Sequence, residues 1–99
     1  MNVTEESIRE AQTIVRRVVG SLPVRVFLFG SRALETSRLT SDIDLALLPD
    51  GPIPTDLVAR LRDEFEESAI PYAVDVIDLS QVDEGFRQKV LREGREWAA

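Results

Sequence analysis

Apolar residues recur at Ile8, Ala11, Ile14, Val15, Val18 and Val19, the three- and four-residue spacing that lays one stripe along a helix. Thr4 ahead of Glu5 and Glu6 supplies an N-cap and a first turn matched to the helix dipole. Gly20, with Pro23 beyond it, supplies the stop. The pattern predicts a helix over residues 4–20. The period then changes. Val24, Val26 and Leu28 alternate with Arg25, Phe27 and Phe29, so both faces are largely apolar, as in a central strand covered by helices on one or both sides. A second apolar run over 42–48 is broken by Pro49-Asp50-Gly51-Pro52. Thr55 caps a helix over about residues 56–68, with Leu57, Val58, Leu61 and Phe65 inward and Arg60, Arg62, Asp63, Glu64, Glu66 and Glu67 in solvent. Pro71 separates it from a strand over 72–77. Asp78-Leu79-Ser80 leads into a last helix over about 82–92 that carries Val82, Phe86, Val90 and Leu91 and ends at Gly94. Trp97 falls in a short tail that either packs back on the core or awaits a partner.

About eleven residues separate the first two strands, close to the lower limit for a parallel crossover containing a helix. A short helical turn over residues 31–35 followed by a loop fits the gap, and the two strands are expected to be antiparallel. The order α-β-(short α)-β-α-β-α predicts an α/β (α+β) layer fold. A small mixed β-sheet of about three strands is flanked by helices within a single domain, residues 1–99.

Composition narrows the chemistry more than the fold. The 99 residues contain no cysteine and no histidine, which excludes disulfides, thiolate or imidazole metal ligands, histidine bases and a Ser-His-Asp triad. Catalysis must run on carboxylates, hydroxyls, arginines, the single Lys89 and a bound cation. A net charge of −6 argues against direct nucleic-acid binding, because phosphate backbones need a basic face; nucleotides brought in with magnesium are compatible with it. No apolar run approaches the roughly 20 residues that span a bilayer, so no membrane role and a cytoplasmic location are expected.

Within that limit the stretch Phe29–Leu47 stands out. Asp42 and Asp44 are two residues apart at the start of a strand, so their side chains share a face. Two carboxylates on one face repel unless a cation lies between them, and magnesium prefers a few carboxylates together with substrate phosphates. Gly30-Ser31 closes the preceding strand, where a tight turn brings backbone N–H groups toward a phosphate. Arg32 and Arg38 follow as candidates for phosphate oxygens. Taken singly, each of these has a plain explanation in turn formation, capping or surface solvation. Asp75, between Val74 and Val76 in a strand expected to lie mid-sheet, is a third carboxylate. There it is costly unless paired or metal-bound; on the solvent face of an edge strand it is unremarkable. Asp78, on the opposite face from Asp75, is read as a cap or turn residue. Three carboxylates on two adjacent strands suit two-metal group transfer.

The combination Gly30-Ser31, then Asp42-Ile43-Asp44, then Asp75 on a later strand resembles the DNA polymerase β-like nucleotidyltransferase superfamily, and more closely its small prokaryotic minimal nucleotidyltransferases (MNT). The likeness covers essentially the whole chain, including Gly30-Ser31-Arg32-Ala33, Ser41 to Leu45, Pro71 to Leu79 and Arg87 to Gly94. It implies transfer of AMP from ATP to a hydroxyl, with two Mg2+ ions held by Asp42 and Asp44. Asp75 binds the metal near the acceptor and helps deprotonate it. Gly30, Ser31 and Arg32 are the implied nucleotide-binding residues. It also implies a protein partner, a HEPN-type ribonuclease toxin, neutralised by adenylylation, with tyrosine the expected acceptor. Where relatives often have a glycine a few residues after Gly-Ser-Arg-Ala, this chain has Glu35. That acid near the triphosphate keeps a second reading open, a binding module that neutralises its partner by masking it.

Overall fold

The computed structural model describes residues 3–29 and 43–97, with side chains of the first helix described from residue 5. Helix α1 (Val3–Val19) turns its apolar stripe onto a mixed sheet, with Ala11, Ile14, Val15 and Val19 buried. Its bounds differ by one residue from the expected ones, and Thr4 lies inside its first turn rather than capping it. Gly20 has a φ of 56°, the left-handed conformation that closes a helix at low cost only for glycine. Its N–H donates to the Arg16 carbonyl at 2.9 Å.

Strands β1 (Val24–Phe29) and β2 (Ile43–Pro49) pair antiparallel, as the short connection predicts. The residues joining them, the helical turn expected there included, lie outside the described residues. Helix α2 (Leu57–Glu66) crosses over to β3 (Val74–Asp78), which runs parallel to β2. Its N-cap is Asp56 rather than Thr55 and makes no side-chain capping bond. A 3-10 turn (Leu79–Gln81) and helix α3 (Glu84–Glu93) follow. The Asp83 side chain caps α3 by accepting from the Phe86 N–H at 2.8 Å. Asp78 behaves as the turn residue expected of it, accepting from the Ser80 N–H at 2.8 Å.

Among the described residues the sheet has four strands rather than about three, in the order β3-β2-β1-β4. The extra strand β4 (Arg95–Trp97) comes from the segment that reads as a tail. It lies antiparallel to β1, with Val26 opposite Trp97 and Leu28 opposite Arg95, and it buries Trp97 in the core. Three residues are too few for alternation to distinguish a strand from a loop. β1 and β2 are thus the central pair. β3, expected mid-sheet, is an edge strand.

The alternation of β1 and β2 sorts two cores. Val26, Leu28, Ile43, Leu45 and Leu47 face α1 and α2, joined by Leu57, Leu61, Phe65 and Val76. Phe27, Phe29 and Ala46 face the other way, onto Leu79 and Val90. Among the described residues, one sheet face therefore carries two helices and the other the 3-10 turn and α3. Asp44 and Asp75 lie on this second face.

Arg25 on β1 reaches across to Glu96 on β4 with two hydrogen bonds, of 3.0 and 2.8 Å, and stacks 5.2 Å from the Phe27 ring. The guanidinium holds the Glu96 carboxyl below its ordinary range. A carboxyl depressed in the folded state stabilises above its unfolded value of about 4.3, and that stability is lost as pH falls through the folded value. Both side chains are nearly half exposed, so the effect is small. Glu96→Gln is expected to lower the melting temperature by about 1–5 °C at neutral pH. The gap between the two proteins should close on acidification below about pH 4. A gap of the same size at low pH would assign the loss to packing.

Candidate active site

Asp44 is the second residue of β2, and only 4% of it is exposed. In the sheet it has Phe29 of β1 on one side and Asp75 of β3 on the other. Residues opposed across neighbouring strands point to the same face, with strands about 4.8 Å apart, so the two side chains leave the sheet from neighbouring positions on one face. The Phe29 ring packs edge-on against Phe86 of α3, with centroids 5.8 Å apart. Asp44 therefore lies between an apolar wall and a second acid, where charge interactions are stronger than in water.

Asp75 is more open, its side chain 46% exposed. Its Oδ1 accepts from the Val76 N–H at 3.0 Å and lies 3.6 Å from Nη2 of Arg62. Arg62 also donates to the Val76 carbonyl at 2.7 Å. On helical spacing Arg62 reads as one more solvated residue of α2; its role at β3 appears only in the folded chain. Alongside, a groove of about 650 Å³ follows the β3 edge, lined by Pro54, Val58, Arg62, Val76 and Ile77 among others. A second cavity of about 380 Å³ lies between α1 and β4, beside Val15, Val19 and Trp97, at the opposite edge of the sheet.

Of the residues singled out in the sequence, the fold brings Asp44 and Asp75 together. Gly30, Ser31, Arg32, Glu35, Arg38 and Asp42 lie outside the described residues. Among the described residues no group of three metal-ligating side chains converges. The pair that does converge offers hard oxygen donors from two strands, a donor set that suits magnesium, which keeps waters and substrate oxygens for its other positions.

No described helix is long and apolar enough to cross a membrane. The profile of the family described as polymerase beta, nucleotidyltransferase matches residues 19–96. The chain is 31% identical over 92 residues to the probable protein adenylyltransferase MntA of Haemophilus influenzae, covering 93% of this chain and 79% of that protein. A crystal structure of a toxin–antitoxin with AMP-PNP contains a chain that superimposes with a TM-score of 0.65 at 27% identity, over 96% of this chain and 73% of that one. In a complex of tri-AMPylated Shewanella oneidensis HEPN toxin with MNT antitoxin, a chain superimposes with a TM-score of 0.67 at 23% identity, over 96% of this chain and 72% of that one. At that identity the likeness is one of fold.

Proposed function

The chain belongs to the polymerase beta nucleotidyltransferase family, and from that premise we propose that it transfers AMP from ATP to a hydroxyl of a protein partner. The partner is a HEPN-type toxin, the acceptor a tyrosine, and the chain its antitoxin in the cytoplasm. One observation carries this reading. Asp44 and Asp75 are register partners on adjacent parallel strands, with side chains on one face. The relative named as a protein adenylyltransferase and the neighbour bound to an ATP analogue support the class of reaction. The neighbour in complex with an AMPylated HEPN toxin supports the class of partner.

In this reading Asp42, Asp44 and Asp75 hold two divalent cations, which supply neutralisation of the triphosphate and acidification of the acceptor hydroxyl when bound. Gly30, Ser31 and Arg32 hold the triphosphate. Asp44, buried against Phe29, is a fixed donor that needs no reorganisation during the reaction. Asp75, half-exposed beside the β3 groove, is where a hydroxyl from another protein can arrive and give up its proton. The acceptor oxygen forms a bond to the α-phosphorus, the bond from that phosphorus to the bridging oxygen breaks, pyrophosphate leaves, and the acceptor proton passes to the Asp75 carboxylate.

Incubating the chain with Mg2+, ATP labelled at the α-phosphate and a HEPN-type toxin tests the proposal. Label is expected on the toxin, on a tyrosine-containing peptide, and is expected to vanish with chelator. A toxin that is neutralised but never labelled would replace modification with masking.

A further inference from the structure

The open edge of β3 is sealed from within. The Ala73 carbonyl accepts from the Ile43 N–H on the β2 side, so backbone alternation turns the N–H and C=O of Val76 outward. An outward pair on an edge strand is a template for another chain. Here both groups are taken by side chains: the N–H by Asp75 Oδ1 at 3.0 Å and the C=O by Arg62 at 2.7 Å. The two side chains stand 3.6 Å apart. α2 covers the face opposite Asp75, so the Arg62 side chain passes around the edge to reach this point.

We propose that Arg62 is a positioning residue: it acts as the internal counter-cation of Asp75, and a divalent cation must displace it. The inference rests on the reading of Asp75 as a metal ligand. A carboxylate oxygen that accepts from Val76 and faces a guanidinium is directed toward the sheet edge, away from Asp44. A cation shared with Asp44 and held by both Asp75 oxygens draws Oδ1 off both partners. Cation capture and release of the β3 edge are then one event, and the Val76 N–H and C=O become available to a partner only when the site is loaded. Arg62 thus lowers the affinity for metal while keeping the edge closed in its absence.

Mn2+ titrations followed by electron paramagnetic resonance, at low ionic strength, test this on the whole chain without nucleotide. Arg62→Met keeps the apolar stem and removes the charge. It is expected to bind Mn2+ about two- to fivefold more tightly than the wild type, the range set by an exposed ion pair. Arg62→Lys, which retains a cation without the planar fork, is expected to fall between them, and it serves if Arg62→Met does not fold. In the unmodified chain, the Val76 amide resonance is expected to move on titration with Mg2+, and to stay still in Asp75→Asn. Unchanged or weaker Mn2+ binding in Arg62→Met, with binding weakened in Asp75→Asn, would overturn the displacement while leaving Asp75 a ligand. Binding unaffected by Asp75→Asn would remove Asp75 from the metal site, and the displacement with it.

Discussion

Asp44→Asn leaves the fold standing and removes the transfer. The substitution keeps the size and shape of a side chain that is 4% exposed at the start of a central strand, so the packing against Phe29 survives. What it removes is a charged oxygen donor from a site that has to gather charge around a triphosphate. A cation in such a site contributes several kcal/mol to the transition state, and each 1.4 kcal/mol or so is tenfold in rate. Labelling of the partner is therefore expected to fall by roughly a thousandfold. Stability should hardly move in metal-free buffer. Asp44 and Asp75 are opposed across β2 and β3, but Oδ1 of Asp75 faces Arg62, so removing one charge relieves little repulsion. The variant is expected to melt close to the wild-type temperature in chelator. Magnesium should raise the melting temperature of the wild type, by mass action on the folded state, and leave the variant where it was. The two readouts separate a lost ligand from a lost fold. A variant that melts far below the wild type in chelator would make Asp44 structural, and full labelling activity would exclude it from the site.

The part of this site that the sequence makes legible is the part that periodicity controls. Asp44 shares its sheet face with Ala46, and the alternation of Ile43, Leu45 and Leu47 toward the larger core assigns that face without coordinates. Asp75 is assigned to the same face once β3 pairs with β2, and the α2 crossover makes that pairing parallel. Periodicity does not report lateral position. β3 has apolar residues on both faces because α2 covers one and the 3-10 turn and α3 the other, so it reads like a central strand although it is an edge. The error follows from β4, whose three residues carry too little pattern to be counted and yet take the place beside β1. Arg62 escapes for a related reason. Helical spacing sends it to solvent, and only the open edge beside it, a tertiary fact, gives its guanidinium a backbone carbonyl and a carboxylate to hold.

Gly94 links that uncounted strand to the rest, and Gly94→Ala is expected to detach it. In the sequence this glycine reads as the stop of the last helix, and it is the C-cap of α3. Its φ of −75° and ψ of 166° are open to any residue, so conformation does not require glycine there; space does. The Gly94 N–H donates to the Val90 carbonyl at 2.7 Å. An added Cβ would lie 2.6 Å from the same carbonyl oxygen and 3.2 Å from that of Leu28. Both atoms are backbone, one in α3 and one in β1, and neither can swing aside as a side chain would. The chain must move off β1 at the point where Leu28 pairs with Arg95. Overpacking of this kind costs about 1–3 kcal/mol, or about 4–20 °C in melting temperature for a domain of this size. Trp97, the only tryptophan and 9% exposed two positions from Arg95, reports the event directly. Its fluorescence is expected to shift to the red and become open to quenching by iodide. Because Phe29, beside Asp44, directly follows Leu28 in β1, partner labelling should fall as well, by far less than in Asp44→Asn. Unmoved Trp97 emission at an unchanged melting temperature would mean that the helix end yields at Val90 and β4 stays docked.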